Sequence, residues 1–93
     1  MPFLHPLRPY TREHVESLNP NQVGVYGIFS NGRCIYVGRG DIRERLLAHL
    51  DGYMACVSGS RMTHWTGEVT ADHMLREQQL ILELTPLCNL RAG

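Results

Sequence analysis

The pattern of apolar and polar positions predicts a strand hairpin in the first half of the chain. Two β-branched and aromatic runs, Val23 to Phe29 and Arg33 to Val37, are separated by Asn31-Gly32. An Asn-Gly pair between two such runs is a strong hairpin signal, because both residues tolerate a positive φ. Both runs are apolar at successive positions, so neither face of the hairpin is polar. We therefore expect helices on both sides of the sheet.

Capping residues and helical periodicity predict one helix before the hairpin and one directly after it. Thr11 caps the first, which is short and which Asn19-Pro20 ends. Asp41 caps the second, which continues to about Leu50 with apolar residues at helical spacing. The first helix is expected to serve packing.

The rest of the chain predicts a loop, a third strand and a last helix. Gly52 to Thr63 has no regular pattern and indicates a loop, whereas His64 to Thr70 alternates as a strand does. The last helix opens at Thr70 or Ala71 and continues to about Leu84, before Pro86. The predicted fold is α/β of the α+β type: a small three-stranded, mainly antiparallel sheet flanked by helices.

Length and composition are those of one globular domain. The chain has 93 residues, 43% of them hydrophobic and 19% charged. Residues 1–20 form a proline-rich lead-in with the short helix, and residues 23–90 form the core. The start, MPFLHPLRPY, has three prolines and no long apolar run, so it resembles neither a signal peptide nor a membrane span. We expect a cytoplasmic protein with no membrane partner.

The cysteines predict no covalent link. Cys34, Cys56 and Cys88 are odd in number and widely spaced, with no CxxC pair. This arrangement is atypical of a disulfide framework or a zinc cluster. We therefore expect reduced, mostly buried thiols.

The charges of the chain balance, but its cations gather in one segment. Nine cations oppose nine acidic residues, and every cation is arginine. Neutrality argues against a strong nonspecific nucleic-acid binder. Arginine is nevertheless the better bidentate ligand for phosphate. One local basic cluster is present, at Arg33, Arg39, Arg43 and Arg45.

A carboxylate lies in the middle of the apolar stripe of the last predicted helix. At about 100° per residue from Glu77, Ile81 falls near +40° and Leu84 near −20°. An unpaired charge there costs several kcal/mol, so something must compensate it. The alternatives are an ion pair with an arginine, a stripe whose edge faces solvent, or a functional carboxylate such as a metal ligand.

A cation and an imidazole lie on one side of the helix after the hairpin. Arg45 and His49 are four residues apart and flank its apolar stripe, where they could simply extend their polar ends past the core margin. Together with Tyr26, Tyr36 and Glu77 they supply the parts of a phosphodiester-cleaving site. These parts are a metal ligand, a cation that stabilises the negative charge of the transition state and candidate general bases.

These residues resemble the motifs of the GIY-YIG nuclease family. Gly24-Val25-Tyr26 and Tyr36-Val37-Gly38 correspond to its two triplets, with Val for Ile in each. The resemblance extends over about Val23 to Leu90, that is, over a bare catalytic domain. It implies catalytic roles for Tyr26, Tyr36, Arg45, His49, Glu77 and Asn89. The missing side chains of the glycines and the local arginine cluster separately predict nucleic-acid contacts at Gly38, Arg39, Gly40 and Arg43.

The resemblance implies hydrolysis of phosphodiester bonds in nucleic acid, with DNA as the expected partner. Glu77 would bind one Mg²⁺ or Mn²⁺, Arg45 would stabilise charge on the phosphate and Asn89 would brace the wall of the site. His49 would orient a tyrosine or the phosphate. Tyr26 is expected to be the base that acts on water, with Tyr36 as its partner and with a pKa that Arg45 and the metal must lower.

Two alternatives stay open at this point. The turn before the second helix is one residue shorter than in the family, so Arg43 and Arg39 are alternates to Arg45. The second alternative concerns activity: the domain could be a catalytically silent module that binds nucleic acid or a partner. A protein partner or a homodimer could supply specificity in either case.

The hairpin register provides a geometric test of the site. A two-residue turn at Asn31-Gly32 would pair Tyr36 with Gly27, which places Tyr26 and Tyr36 on opposite faces. A three-residue loop with a bulge would bring both phenols to one face. The hypothesis of a shared site therefore predicts an odd-length loop.

Overall fold

The computed structural model describes residues 3–92, and for residues 90–92 it describes the backbone alone. The predicted lead-in begins with Met1 and Pro2, which lie outside the described residues. None of the helices in the described range is long and apolar enough to cross a membrane. The elements in chain order are β1 (Arg8–Pro9), α1 (Arg12–Glu16), β2 (Val23–Ser30), β3 (Arg33–Asp41), α2 (Ile42–Leu50), α3 (Ala55–Ser58), β4 (His64–Val69), α4 (His73–Leu84) and α5 (Leu87–Ala92).

The sheet has four antiparallel strands in the order β1-β4-β2-β3, not the three that were predicted. The additional strand is β1, in which Arg8 lies opposite Trp65 and Pro9 opposite His64. A two-residue strand that contains proline leaves no alternation in the sequence. Proline is tolerated there because β1 is an edge strand.

The hairpin between β2 and β3 has a different turn from the predicted one, but it places the two tyrosines on one face, as predicted. The turn has two residues, Asn31 with φ 49° and Gly32 with φ 86°, so the predicted odd-length loop is wrong. The register shifts inside the strands instead, because Ile28 lies opposite Tyr36 whereas Phe29 lies opposite Cys34.

That shift makes Ile35 the extra residue of a β-bulge. Tyr26 lies opposite Gly38, two positions along β3 from Tyr36. Residues two apart on a strand share a face, so both phenols point to the same side of the sheet. The predicted common face is therefore confirmed, with the bulge as its cause.

Helices cover both faces of the sheet, as the two-sided apolar strands predicted. On one face α1, α2 and α3 pack over a core that includes Ile28, Leu46 and Trp65. On the other face α4 packs over a second core that includes Val25 and Leu80. The predicted helix caps are present: the Thr11 side chain accepts from His14 N, and the Asp41 side chain from Glu44 N.

Two short helices were not predicted. The four-residue α3 lies in the predicted loop, and α5 begins directly after Pro86, at Leu87. Pro86 therefore separates two helices instead of ending the helical part of the chain. In addition, α4 begins at His73, two or three residues later than predicted.

These two helices are linked by a Cys56–Cys88 disulfide, so the prediction of three reduced thiols is wrong. The Cα atoms of the pair are 5.6 Å apart, although 32 residues separate them in sequence. Linear spacing could not reveal this pair, because the packing of α3 against α5 brings it together. Cys34 is a free, buried thiol, as predicted.

Candidate active site

Two tyrosines and a histidine form a packed cluster on the α2 side of the hairpin. Tyr26 Oη and His49 Nε2 are hydrogen-bonded at 2.8 Å. The ring centroids of Tyr26 and Tyr36 are 6.2 Å apart, and those of Tyr36 and His49 are 5.2 Å apart. The bulge at Ile35 and the helical position of His49 thus bring three predicted residues together.

Burial fixes the charge states in this cluster. Tyr26 and His49 have no exposed surface, whereas Tyr36 is half-buried. Burial lowers the pKa of His49 to about 4, and the nearby charge of Arg45 adds to this effect. Burial also raises the pKa of Tyr26 and of Tyr36. At neutral pH the imidazole and both phenols are therefore uncharged.

The phenol pKa values thus differ from what the sequence led us to expect. A nearby arginine was expected to lower the pKa of a phenol toward neutral pH, and the charge of Arg45 does act on Tyr26 in that direction. The desolvation of Tyr26 is the larger effect, so the net shift is upward. In the resting protein Tyr26 is a hydrogen-bonding group and not an anion.

Arg45 extends from α2 to the rim of this cluster, as predicted. Its guanidinium carbon lies 4.5 Å from the ring centroid of Tyr53, which also packs edge-on against His49 at 5.3 Å. The neighbouring Tyr53 phenol favours the charged guanidinium and raises the pKa of Arg45 above its ordinary value. The guanidinium is therefore a fixed positive charge at the exposed side of the phenols.

Tyr53 was missed from the sequence. It follows His49 by four residues, the spacing at which two side chains on one helix face meet. The helix was expected to end before it, at Asp51-Gly52, and α2 does end at Leu50. Gly52 has φ 90°, and Tyr53 N donates to Ala48 O at 3.0 Å, so the turn folds Tyr53 back onto the helix.

Glu77 approaches the cluster from α4, on the other layer of the molecule. Its side chain is 21% exposed, and its Oε1 lies 3.3 Å from Arg39 Nε. Leu80 in the same stripe is buried, which confirms that the carboxylate adjoins an apolar surface. Glu77 is also close enough to Tyr36 to raise the pKa of that phenol. The ion pair with an arginine, one of the predicted alternatives, is thus present.

The surroundings of Glu77 fit a single divalent ion. Mg²⁺ is commonly held by one or two carboxylates and keeps several water ligands. Glu77 offers one partly exposed carboxylate on a rigid helix, and its Arg39 partner is itself 39% exposed. Within residues 3–92 no group of three or more His, Cys, Asp or Glu side chains gathers into a metal site. Glu77 could therefore hold an ion whose other ligands are water and substrate oxygen.

Asn89 binds the backbone of β3 between the two residues that carry the motif. Its Oδ1 accepts from Val37 N and its Nδ2 donates to Val37 O, both at 2.8 Å. The disulfide at Cys88 holds α5 immediately beside it. Asn89 thus fixes the position of the strand between Tyr36 and Gly38.

The four residues predicted to contact nucleic acid lie in different surroundings in the structure. Gly38 is buried, and a Cβ there would overlap the phenol of Tyr26, so its missing side chain makes room for the cluster and not for a ligand. Gly40 has φ 131° and lies against Arg45, so it serves the turn into α2. Arg39 pairs with Glu77, and Arg43 lies on the other side of α2.

The solved structures most relevant to this arrangement are those of the GIY-YIG N-terminal endonuclease domain of UvrC from Thermotoga maritima. The magnesium-bound form is 24% identical over 83% of this chain and 97% of that chain, with a TM-score of 0.70. A point mutant bound to its catalytic divalent cation is 22% identical over 84% and 92%, also with a TM-score of 0.70.

No protein-family model and no curated protein sequence matches the chain. The structural likeness nevertheless extends over four-fifths of its length, and it includes the α+β arrangement that the sequence predicted. The chain therefore has the fold of the GIY-YIG endonucleases.

Proposed function

We propose that this protein is a divalent-metal-dependent endonuclease that hydrolyses phosphodiester bonds in DNA. Fold alone does not establish an activity. The observation that carries the proposal is the convergence of Tyr26, Tyr36, Arg45 and His49 in one cluster, with Glu77 close to Tyr36. A purely structural hairpin has no need of a cation, a neutral imidazole and a carboxylate around two phenols.

Glu77 is the residue that would hold the metal ion, Mg²⁺ or Mn²⁺. A bound ion would supply positive charge to the scissile phosphate and lower the pKa of a bound water. Arg39, now paired with Glu77, is exposed enough to move toward a phosphate oxygen instead. Arg45 supplies a second, fixed charge to the phosphate, because Tyr53 holds its guanidinium in place.

We assign the contact with the attacking water to Tyr36, which reverses the expectation from the sequence. Tyr26 has no exposed surface and is occupied by its hydrogen bond to His49. Tyr36 is half-buried, and the charge of Glu77 acts on its phenol. Tyr26 and His49 both pack against the Tyr36 ring, and the neutral imidazole can accept a hydrogen bond from the Tyr26 phenol.

The second candidate function is a catalytically silent module that binds nucleic acid. The observation that favours it is the Arg39–Glu77 ion pair, which occupies the carboxylate to which we assign the metal. Both candidates bind phosphate, so only a metal-dependent cleavage assay separates them.

The test compares cleavage of duplex, single-stranded, flapped and branched DNA, with RNA counterparts, in Mg²⁺ or Mn²⁺. Glu77→Gln should lose at least about 100-fold in rate, as expected for a residue that stabilises transition-state charge. Glu83→Gln is the matched control, because Glu83 is exposed on the same helix. Equal cleavage by Glu77→Gln and wild type would overturn the proposal. Salt-sensitive binding without cleavage by wild type would favour the silent module.

A further inference from the structure

A pocket lined by arginines lies on the far side of α2 from the tyrosine cluster. Its volume is about 320 Å³, and it is bounded by the N-terminal segment, the loop before β2, the start of α2 and β4. Arg43 and Arg45 are two residues apart on α2, which places them about 200° apart around the helix. Arg43 therefore faces this pocket while Arg45 faces the cluster.

The lining of this pocket is cationic. Arg8, Arg43 and His5 line it, together with polar and apolar residues but with no acidic side chain. Within residues 3–92 neither Arg8 nor Arg43 forms an ion pair. In a chain with net charge zero, this is a local excess of positive charge.

The carboxylates next in sequence to the lining are those of Asp41, Glu44 and Glu68, and the first and last of these accept hydrogen bonds from other parts of the chain. Both Asp41 oxygens accept backbone hydrogen bonds, from Asn21 N at 2.7 Å and Glu44 N at 3.1 Å. Glu68 is held by Arg76 at 2.9 and 3.1 Å and by Leu4 N at 2.9 Å. Glu68 is thus paired with Arg76, and within the described residues no carboxylate forms an ion pair with Arg8 or Arg43, so both guanidinium groups can bind an anion from outside.

One wall of the pocket is aromatic. Trp65 lines it and is 4% exposed. The Arg8 guanidinium lies 5.5 Å from the Trp65 ring centroid, which restrains it at the pocket wall. The Trp65 ring thus keeps a positive charge at the pocket wall, where an anion can meet it.

We propose that this pocket binds a phosphate group, carried either by a nucleotide or by a nucleic-acid strand. Arginine is the side chain whose donor geometry matches phosphate oxygens, and two arginines without ion pairs line the site. The volume lies at the lower end of the range of about 300 to 1,000 Å³ for small-ligand sites, which suits a phosphorylated sugar and not a duplex. The proposal does not depend on cleavage activity.

Trp65 makes the test direct, because it is the single tryptophan of the chain. Its fluorescence is followed while inorganic phosphate, a nucleoside 5′-monophosphate, the matching nucleoside or a short single-stranded oligonucleotide is added. EDTA prevents metal-dependent cleavage, and the ionic strength is held constant with chloride. We expect a saturable change with phosphate-bearing compounds and none with the nucleoside. Calorimetry on the same samples detects binding that leaves the fluorescence unchanged.

Variants locate the site. Arg43→Gln should weaken phosphate binding by about tenfold or more, since it removes a charge-assisted contact. Arg8→Gln should do the same, but it also alters the resting spectrum of Trp65. Arg61→Gln, an exposed arginine in the segment between α3 and β4, is the matched control.

The outcomes separate the two sources of phosphate. Saturation by the monophosphate points to a free nucleotide, and saturation by the oligonucleotide alone points to a strand. Binding that is equal in Arg43→Gln and wild type, or no binding by either method, would overturn the proposal. The Glu77→Gln cleavage assay is independent of each of these results.

Discussion

The charged side chain of Arg45 is held in one orientation although its site is partly exposed. Its guanidinium lies over the ring of Tyr53, and its neighbours Tyr26 and His49 are fully buried. An exposed arginine samples many rotamers, whereas stacking on an aromatic ring restricts them. Tyr53 is thus a positioning residue for Arg45 if the protein cleaves phosphodiesters as proposed.

We predict that Tyr53→Ala lowers kcat/KM for cleavage by about tenfold, the equivalent of a partly exposed cation–π contact of about 1 kcal/mol or slightly more. Tyr53→Phe keeps the ring and should retain most of the rate. The measurement is steady-state cleavage at several substrate concentrations, with thermal unfolding as a check on folding. A Tyr53→Ala enzyme as fast as wild type would contradict this role.

The residues of the cluster were predictable because spacing carries the information. Arg45 and His49 are four apart on one helix, and the periodicity of α4 placed Glu77 in an apolar stripe. Tyr53 was not predictable in this way, because its position depends on the backbone turn at Gly52. The two arginines that line the pocket, Arg8 and Arg43, come from separate segments that only tertiary packing brings together.

At the scale of elements, the bulge in β3 and the link between α3 and α5 determine the position of the site. The β-branched and aromatic runs in β2 and β3 predicted two strands correctly, but a bulge depends on how the strands pair, which neither strand's own sequence shows. The same holds for the disulfide, whose cysteines meet through helix packing. That disulfide links α5, which carries Asn89, to the helix that follows Tyr53.

We predict that reducing the Cys56–Cys88 disulfide lowers the free energy of unfolding by about 3 to 4 kcal/mol. The reason is that it closes a segment with a sequence separation of 32 residues and so restricts the unfolded chain. The measurement is urea unfolding with and without a reductant. A Cys34→Ser background excludes thiol exchange, and the same protein with Cys56 and Cys88 changed to Ser should match the reduced form. Three titratable thiols in the unfolded, unreduced wild-type protein would contradict the prediction.

At the scale of the whole molecule, the two apolar layers each enclose a titratable group. His49 lies in the layer under α2, and Glu68 lies against α4, paired with Arg76. Burial favours the neutral acid form of Glu68, but hydrogen bonds from Arg76 and Leu4 N outweigh it and lower the pKa of Glu68. Both groups bind protons less readily in the folded protein than in the unfolded chain.

Stability should therefore fall on acidification. Below the ordinary His49 pKa of 6.5 the unfolded chain gains a proton that the folded protein resists until about pH 4. One such proton adds at most about 1.4 kcal/mol per pH unit to the slope of the free energy of unfolding against pH. Urea unfolding between pH 7.5 and 4.5 should show a shallower decline for His49→Gln than for wild type. His64→Gln is the control, and equal slopes for His49→Gln and wild type would contradict the prediction.

The two outer strands of the sheet have a consequence for how the protein meets other chains. Exposed backbone at a sheet edge invites pairing with another strand, and proteins commonly block it. Asn89 occupies both backbone groups of Val37 on the β3 side, and the opposite side ends in a two-residue strand that contains Pro9. Both edges are therefore interrupted as templates for edge-to-edge pairing. A partner or second copy would attach more readily through side chains of helices and loops than by extending the sheet.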